Sequence, residues 1–379
     1  MSQAVIGANA DRMRGIEAMR GIAAMIVAYF HCRAIAWIGI RAFTAGRHHL
    51  FSLDTVLAYL SIPFVWGPIG VPIFFVISGY CIHRSQAMRL AHNPQYRLDA
   101  RDFLWRRFVR IYPVLFCALL LTFALDSISL HFWPHNELLG NLGWRTFGAN
   151  LFALQGIASP TYGSDTALWT LSLEIQFYVL YPLLFIVQRR LGPNRLLAVL
   201  MLLGAVSYAL LERRGILIFT TYWSSWYLGA WFAEREVRGL QFPRWFVTVA
   251  SPLLLVLGCM ASTRYSRYLW CEPWALAFVP LLEVMLCSCA SGTRAMRVLE
   301  KVGEFSYSLY IVHIPIAIVL VSWLFHSTRQ VSILWSIGFF FVALVGAYVF
   351  HLLIERPAIG MLRKTSTQRR SAAGNVGAT

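Results

Sequence analysis

Ten apolar windows, at approximately residues 18–38, 64–83, 111–129, 167–187, 195–211, 216–233, 245–261, 273–290, 305–325 and 331–353, follow one another along the 379-residue chain. Crossing the hydrocarbon core of a bilayer takes roughly 20 mostly apolar helical residues. Every backbone polar group held there must find its partner inside the protein. The windows therefore predict an all-α fold, a polytopic transmembrane bundle of about ten helices. With 58% hydrophobic and 13% charged residues, the chain lies outside the range of soluble globular domains. The same figures exclude a disordered chain, a coiled coil, a secreted disulfide scaffold and a DNA-binding module. The segment 145–157 is too short to cross and reads as an interfacial or re-entrant piece. No 20–50-residue period repeats, which leaves solenoids and obvious internal duplication unsupported.

Basic residues outnumber acidic ones 33 to 17. In a polar chain that surplus would suggest nucleic acid, but here it is read against the bilayer first. With ten spans both termini share one side. Placing them inside puts 23 Lys and Arg in the inward segments and nine in the outward ones, with Arg20 at the mouth of the first helix. The positive-inside rule thus gives N-in and C-in. The chain divides into a cytoplasmic N-terminal segment (1–17), a membrane domain (18–355) and a cytoplasmic tail (356–379) whose Arg, Ser, Gly and Ala predict disorder. Arg12, Arg14 and Arg20 precede an apolar stretch that no small-x-small cleavage site closes, so this stretch is expected to stay as an anchor helix. The seven cysteines lie in or beside apolar runs without a CxxC pair. They read as small buried hydrophobes, and neither a disulfide framework nor a metal site is expected.

Ionisable side chains at bilayer depth are expensive, face the bundle interior and mark function. Arg20 and His31 fall in the first window, Asp126 in the third, Glu174 in the fourth, Glu283 in the eighth, His313 in the ninth and His351 in the tenth. At a rise of about 1.5 Å per residue, His31 stands roughly 16 Å above Arg20, in the outer half. Glu174, some seven residues into an inward-running helix, lies roughly 10 Å deep and can share a layer with His31. His313 falls near the midplane. A histidine and a carboxylate at comparable depth are what proton removal from a hydroxyl needs, the imidazole taking the proton and the carboxylate orienting the ring. The alternative is that these groups tie helices together by hydrogen bonds. Asp126 and His351 are close to helix ends, where snorkelling makes them cheap.

The loop 84–110 carries seven arginines, and Arg107 and Arg110 stand three apart on a helix entering the membrane. They share one face at the cytoplasmic interface. Planar guanidiniums there suit phosphate oxygens, from a lipid headgroup or from a nucleotide-bearing cofactor. Without further context a topology anchor touching anionic lipid is the commoner explanation of such a pair.

Six blocks in order, from about residue 15 to 358, resemble a known family. They are Ile16-Glu17-Ala18-Met19-Arg20-Gly21 through His31; Gly70 to Phe74-Phe75 to Ser78-Gly79-Tyr80; Arg107-Phe-Val-Arg110-Ile-Tyr-Pro113; Leu168-Trp169 to Ser172, Glu174 and Phe177-Tyr178; Ser306-Tyr307-Ser308 to Tyr310, His313 and Pro315; and Glu355-Arg-Pro357. The pattern is similar to that of the integral-membrane acyltransferase type three family, whose members O-acylate sugars of surface polysaccharides, lipopolysaccharide and nodulation factors. Tyr80 departs from the commoner Phe. The resemblance implies a multi-pass protein of the bacterial inner membrane that moves an acyl group, most simply acetyl, from cytoplasmic acyl-CoA to a hydroxyl of a cell-surface or lipid-linked glycan. It implies His31 as the catalytic group, with Glu174 orienting or charge-balancing it, and Arg107, Arg110 and Arg20 as contacts for the phosphates of acyl-CoA. Ser78, Trp169, Tyr310 and His313 would line the channel or hold helices.

Acyl-CoA enters as donor substrate; no resident cofactor, no metal and no nucleic acid are implied, and membrane lipid is the remaining partner. Transfer is either direct or through a transient acyl-histidine. The alternative function is a transporter of a lipid-linked sugar or small solute. It would show paired broken helices in two related halves, and the sequence has neither. A lipid-binding scaffold would leave Arg20, His31 and Glu174 without a purpose.

Overall fold

The structure, a computed structural model, describes residues 3–46, 51–264, 266–288 and 293–361. Arg47, Cys289 and the tail from residue 362, where the sequence predicts disorder, lie outside them. Helices follow in the order α1 (Gln3–Ala36), α2 (Ile40–Ala45), α3 (Leu53–Leu60), α4 (Gly70–His92), α5 (Ala100–Phe132), α6 (Trp144–Leu151), α7 (Leu168–Leu191) and α8 (Pro193–Leu210). They continue with α9 (Phe219–Val237), α10 (Ser251–Ser262), α11 (Arg267–Ser288), α12 (Arg294–Glu304), α13 (Ser306–Phe325) and α14 (Leu334–Phe350). Among the described residues the only β pairings are the isolated bridges Trp37–Gln330 and Gln155–Ser159.

Among the described residues, eight helices are long and apolar enough to cross a membrane. Two of the expected windows fall outside that set for different reasons. The 245–261 window lies on a shorter apolar helix, Phe246–Ser262. The 216–233 window lies on α9, which carries Glu234, Arg235 and Glu236 near its end. Its Thr221, Tyr222, Ser224, Ser225, Trp226 and Tyr227 are all buried. Other helices rather than lipid surround α9, so it need not be apolar all round. At its crossing with α4, Gly79 faces the Trp226 carbonyl and Gly229 the Val76 carbonyl so closely that a Cβ at either would overlap backbone. Small residues let helix backbones meet in this way where no hydrophobic effect drives them together.

Helix runs past the expected membrane domain at both ends. Residues 3–17 are the start of α1, continuous with the first span. At the other end, α14 passes through a π turn (His351–Glu355) and stays helical to Met361, so residues 356–361 extend the last helix instead of opening the tail. Extra turns of helix at a membrane boundary satisfy backbone groups that a loop would leave to solvent.

Between α5 and α7 the chain forms α6 and then an irregular loop that descends into the bundle. Ala167 packs with Ile314 and Ile318 in the middle of α13, and Thr170 Oγ1 lies 2.6 Å from the Tyr310 hydroxyl. Irregular backbone at membrane depth is tolerated only where protein satisfies it. Here Asn150 donates to the Thr146 and Pro160 carbonyls and accepts from the Tyr162 N–H. Gln155 donates to the Leu168 carbonyl. Asp126 of α5 accepts from both the Ser164 N–H and the Ser164 hydroxyl at 2.7 Å. It is fully buried, so it pins the loop and does not snorkel. Gly163, with φ 55°, sits where a Cβ would collide with the Asp126 carboxylate.

Candidate active site

Five helices, α1, α4, α5, α7 and α13, wall a cavity of about 180 Å³. Three guanidiniums meet in it, Arg20 from α1 and Arg107 and Arg110 from α5. The spacing of three puts the α5 pair on one face of the helix. Arg20 holds both oxygens of the Glu17 carboxylate at 3.3 Å. The Arg107 guanidinium lies over the rings of Phe103 and Tyr178, at 5.4 and 5.5 Å, and its Nε is buried without a partner. No ion pair neutralises Arg107 or Arg110 among the described residues, whereas the neighbouring Arg106 pairs outward with Asp102. Glu17 and Glu174 are the two carboxylates in the wall, so the cavity keeps a positive surplus. Guanidiniums held from water without a counter-ion are a site for an anion.

Glu174 lies in the same cavity, further along α7. Its Oε1 accepts from the Ser78 hydroxyl at 3.1 Å and from the Tyr178 hydroxyl, and the Trp226 indole N–H donates to Ser78 at 3.2 Å. The expected pairing of Glu174 with His31 is not formed. The face of α7 that carries Glu174 is turned to Ser78 of α4, and its Oε1 is engaged there and by its own helix neighbour Tyr178.

His31 is joined instead to His313. His31 Nδ1 and His313 Nε2 are 2.9 Å apart, and His313 Nδ1 is 2.9 Å from the Leu309 carbonyl. A carbonyl only accepts, so His313 carries its proton on Nδ1 and, as a neutral ring, accepts on Nε2. His31 must then donate from Nδ1, which leaves its own Nε2 with a free lone pair. His313 is fully buried while His31 keeps partial exposure. Neither ring lines the arginine cavity, but Tyr310 does, and its ring lies 6.1 Å from that of His313, one helical turn on. Tyr310 also meets Phe74 edge-on at 5.5 Å.

The remaining intramembrane candidates tie helices together. Glu283 accepts from the Phe242 backbone N–H at 3.0 Å. His351 bonds Glu355 at 2.8 Å, and Glu355 also accepts from Ser308. Trp169 is not in the cavity wall; Arg267 lies over its ring at 4.8 Å, and Tyr222 meets it edge-on. Sequence reasoning passed over Tyr178, Tyr307 and Thr170 as wall residues, since aromatic and hydroxyl side chains carry no hydropathy signal that separates wall from packing. Their i, i+4 spacing to Glu174 on α7, for Thr170 and Tyr178, was the available clue.

A family profile described as an acyltransferase domain matches residues 13–352. Three relatives illustrate the kinship. "Putative peptidoglycan O-acetyltransferase YrhL" of Bacillus subtilis (strain 168) is 24% identical over 313 residues, 71% of this chain and 47% of the relative. "Putative membrane-bound transacylase BcsY" of Komagataeibacter xylinus is 25% identical over 376 residues, 92% of this chain and 83% of the relative. "O-acetyltransferase OatA" of Staphylococcus aureus is 25% identical over 318 residues, 74% of this chain and 50% of the relative. The chain thus spans about half the length of the first and third relatives. No solved structure matches it.

Proposed function

The chain belongs to the acyltransferase family matched over residues 13–352, and from that premise we propose that it transfers an acyl group, acetyl in the simplest case, from cytoplasmic acyl-CoA to a hydroxyl of a cell-surface or lipid-linked glycan. The observation that carries this reading is the continuity of one cavity from Arg20, Arg107 and Arg110, past Ser78 and Glu174, to Tyr310, one helical turn from the His313–His31 pair. In the N-in orientation the arginine end opens to the cytoplasm of a bacterial inner membrane.

The unpaired guanidiniums suit the phosphates of coenzyme A, as planar forks that match phosphate oxygens. The acyl-bearing arm would then run along α4 and α7 toward Tyr310. At the histidine end, the acceptor hydroxyl gives its proton to His31 Nε2 as its oxygen bonds to the thioester carbonyl carbon. The carbon–sulfur bond then breaks, and the departing sulfur takes a proton from the imidazolium, giving ester and free coenzyme A thiol. His313 steadies the step: when His31 becomes cationic, its Nδ1–H bond to His313 strengthens. Glu174 balances charge in the donor cavity, a different position from that of an orienting carboxylate.

The test uses purified protein in lipid with radiolabelled acetyl-CoA and isolated envelope glycan. Wild type should label the glycan, and His31→Ala should lower the rate by about 10²- to 10⁴-fold, the usual worth of a positioned base. Full activity in a correctly inserted His31→Ala protein would overturn the mechanism, and absence of labelling by wild type would return the transporter alternative.

A further inference from the structure

One carboxylate oxygen in the donor cavity is left without a bond. Glu174 is half-buried in the cavity wall. Its Oε1 accepts from Ser78 and Tyr178, and the indole N–H of the buried Trp226 holds Ser78 in turn. Its Oε2 has no hydrogen-bond partner among the described residues, yet it is not sealed by protein. None of the three arginines forms an ion pair with it, and Arg20 is taken by Glu17. Asp165, in the descending loop before α7, also lacks partners, but both of its oxygens are sealed and it is not part of the cavity wall. A carboxylate with one oxygen clamped by two donors and the other open to a cavity is a fixed acceptor for an N–H or O–H of whatever fills that cavity.

Glu174 also stands at a defined height. The Arg107 guanidinium rests over the Tyr178 ring at 5.5 Å. Along α7 toward the histidine end, Glu174 is one turn on, roughly 6 Å, and Thr170, which bonds Tyr310, is two turns on, roughly 12 Å. The arm of coenzyme A runs about twelve bonds from its phosphate oxygen to its sulfur. An extended chain covers roughly 3.5 Å in three bonds, so the arm reaches roughly 14 Å. With the phosphates on Arg107, the sulfur therefore arrives at Tyr310, beside His313. The nitrogen of the amide nearer the phosphates, about five bonds along, comes roughly 6 Å up, level with Glu174.

The geometry points to Glu174 as the group that reads the pantetheine arm: its Oε2 accepts the N–H of the amide nearer the phosphates, and this bond sets how far the thioester travels toward His31. The inference rests on the acyl-transfer reading with a coenzyme A donor given above. The class of donor selected is a thioester whose arm carries a secondary amide at that distance, in preference to a shorter thioester without it. A site built to hydrogen-bond an N–H rejects an analogue that lacks it, because its own polar group is then left unpaired.

Full-length wild type, Glu174→Gln and Glu174→Leu in lipid nanodiscs would be given isolated envelope glycan and three donors: acetyl-CoA, S-acetyl-pantetheine and S-acetyl-N-acetylcysteamine. The last two lack phosphates, and of these only the pantetheine thioester carries the amide assigned to Glu174. Wild type should favour it over the shorter thioester by about 10- to 100-fold in kcat/KM, the range for a hydrogen bond to a charged group. In Glu174→Leu that preference should shrink by about 10-fold or more. Glu174→Gln, whose side-chain carbonyl still accepts, should fall between. The ratio does not depend on how much of a variant is folded. Displacement of labelled coenzyme A by pantetheine and by N-acetylcysteamine reads the same preference without turnover where a variant is too slow to assay. An unmoved ratio, with every donor weakened alike, overturns the proposal and leaves Glu174 with charge balance alone. A wild type that transfers acetyl from none of the donors overturns the acyl-transfer reading itself and the proposal with it.

Discussion

Replacing His313 by alanine removes the nitrogen that accepts from His31 at 2.9 Å. In the resting site that bond joins two neutral rings and contributes about 0.5–1.5 kcal/mol net, whereas a bond from a charged donor is worth about 1.5–3 kcal/mol. His31 acquires its charge only as it takes the hydroxyl proton, so the bond strengthens on the way to the transition state. That difference of about 1–2 kcal/mol is the part that accelerates the reaction. At about 1.4 kcal/mol per decade, His313→Ala should lower kcat by roughly 5- to 30-fold while the KM for acetyl-CoA changes little. His313→Gln, whose side-chain carbonyl can accept the same bond, should recover part of the loss. Initial rates of acetyl transfer in nanodiscs, with the donor varied at saturating acceptor, separate the two constants. Because His313 acts through His31, the double variant with His31→Ala should be no slower than His31→Ala alone. Unchanged kcat in a folded His313→Ala protein refutes the pairing, and so does a double variant slowed by the full single-site factor.

Arg107→Ala with Arg110→Ala should weaken coenzyme A binding by roughly 10-fold or more, measured by titration calorimetry, and should narrow the preference for acetyl-CoA over acetyl-pantetheine, which lacks the nucleotide phosphates; unchanged binding returns the pair to a topology role. Arg107→Lys should not restore full affinity, since an ammonium cannot reproduce the guanidinium fork. Asp126→Ala removes both bonds to Ser164 and should destabilise the loop before α7 by about 1–3 kcal/mol, seen as faster proteolysis between residues 153 and 167; protection equal to wild type would mean that the loop is held by packing alone.

What the sequence disclosed was depth, and what it withheld was angle. Hydropathy sets which residues enter the membrane, and the rise of a helix converts residue number into height. Arg20, Arg107 and Arg110 could therefore be grouped at one end of the bundle, where the cavity gathers them. Height alone also allowed Glu174 and His31 to share a layer. Which of two groups at one height actually meet depends on the rotation of each helix and the order of its neighbours, and a single chain records neither. Glu174 turned out to face Ser78, and the partner of His31 came from α13. The window 216–233 shows a further limit of that one-dimensional view: the sequence counts it as a span, yet α9 with its charged end and hydroxyl-rich face is not among the eight apolar helices of the described residues and is surrounded by protein.

Asp165 was beyond reach for a further reason. A carboxylate among Gly, Ser and Thr in a connection too short to span looks like any solvent-exposed loop acid, and the prior for such a residue is full hydration. Only the three-dimensional path of the loop reverses this. The neighbouring Asp126 is drawn inward to satisfy Ser164, Gly163 clears the space for it, and Ala167 packs against the middle of α13. Asp165 is carried down with them and left unmatched. Leaving a buried polar group unmatched lowers stability, a cost that hydropathy along the chain does not record.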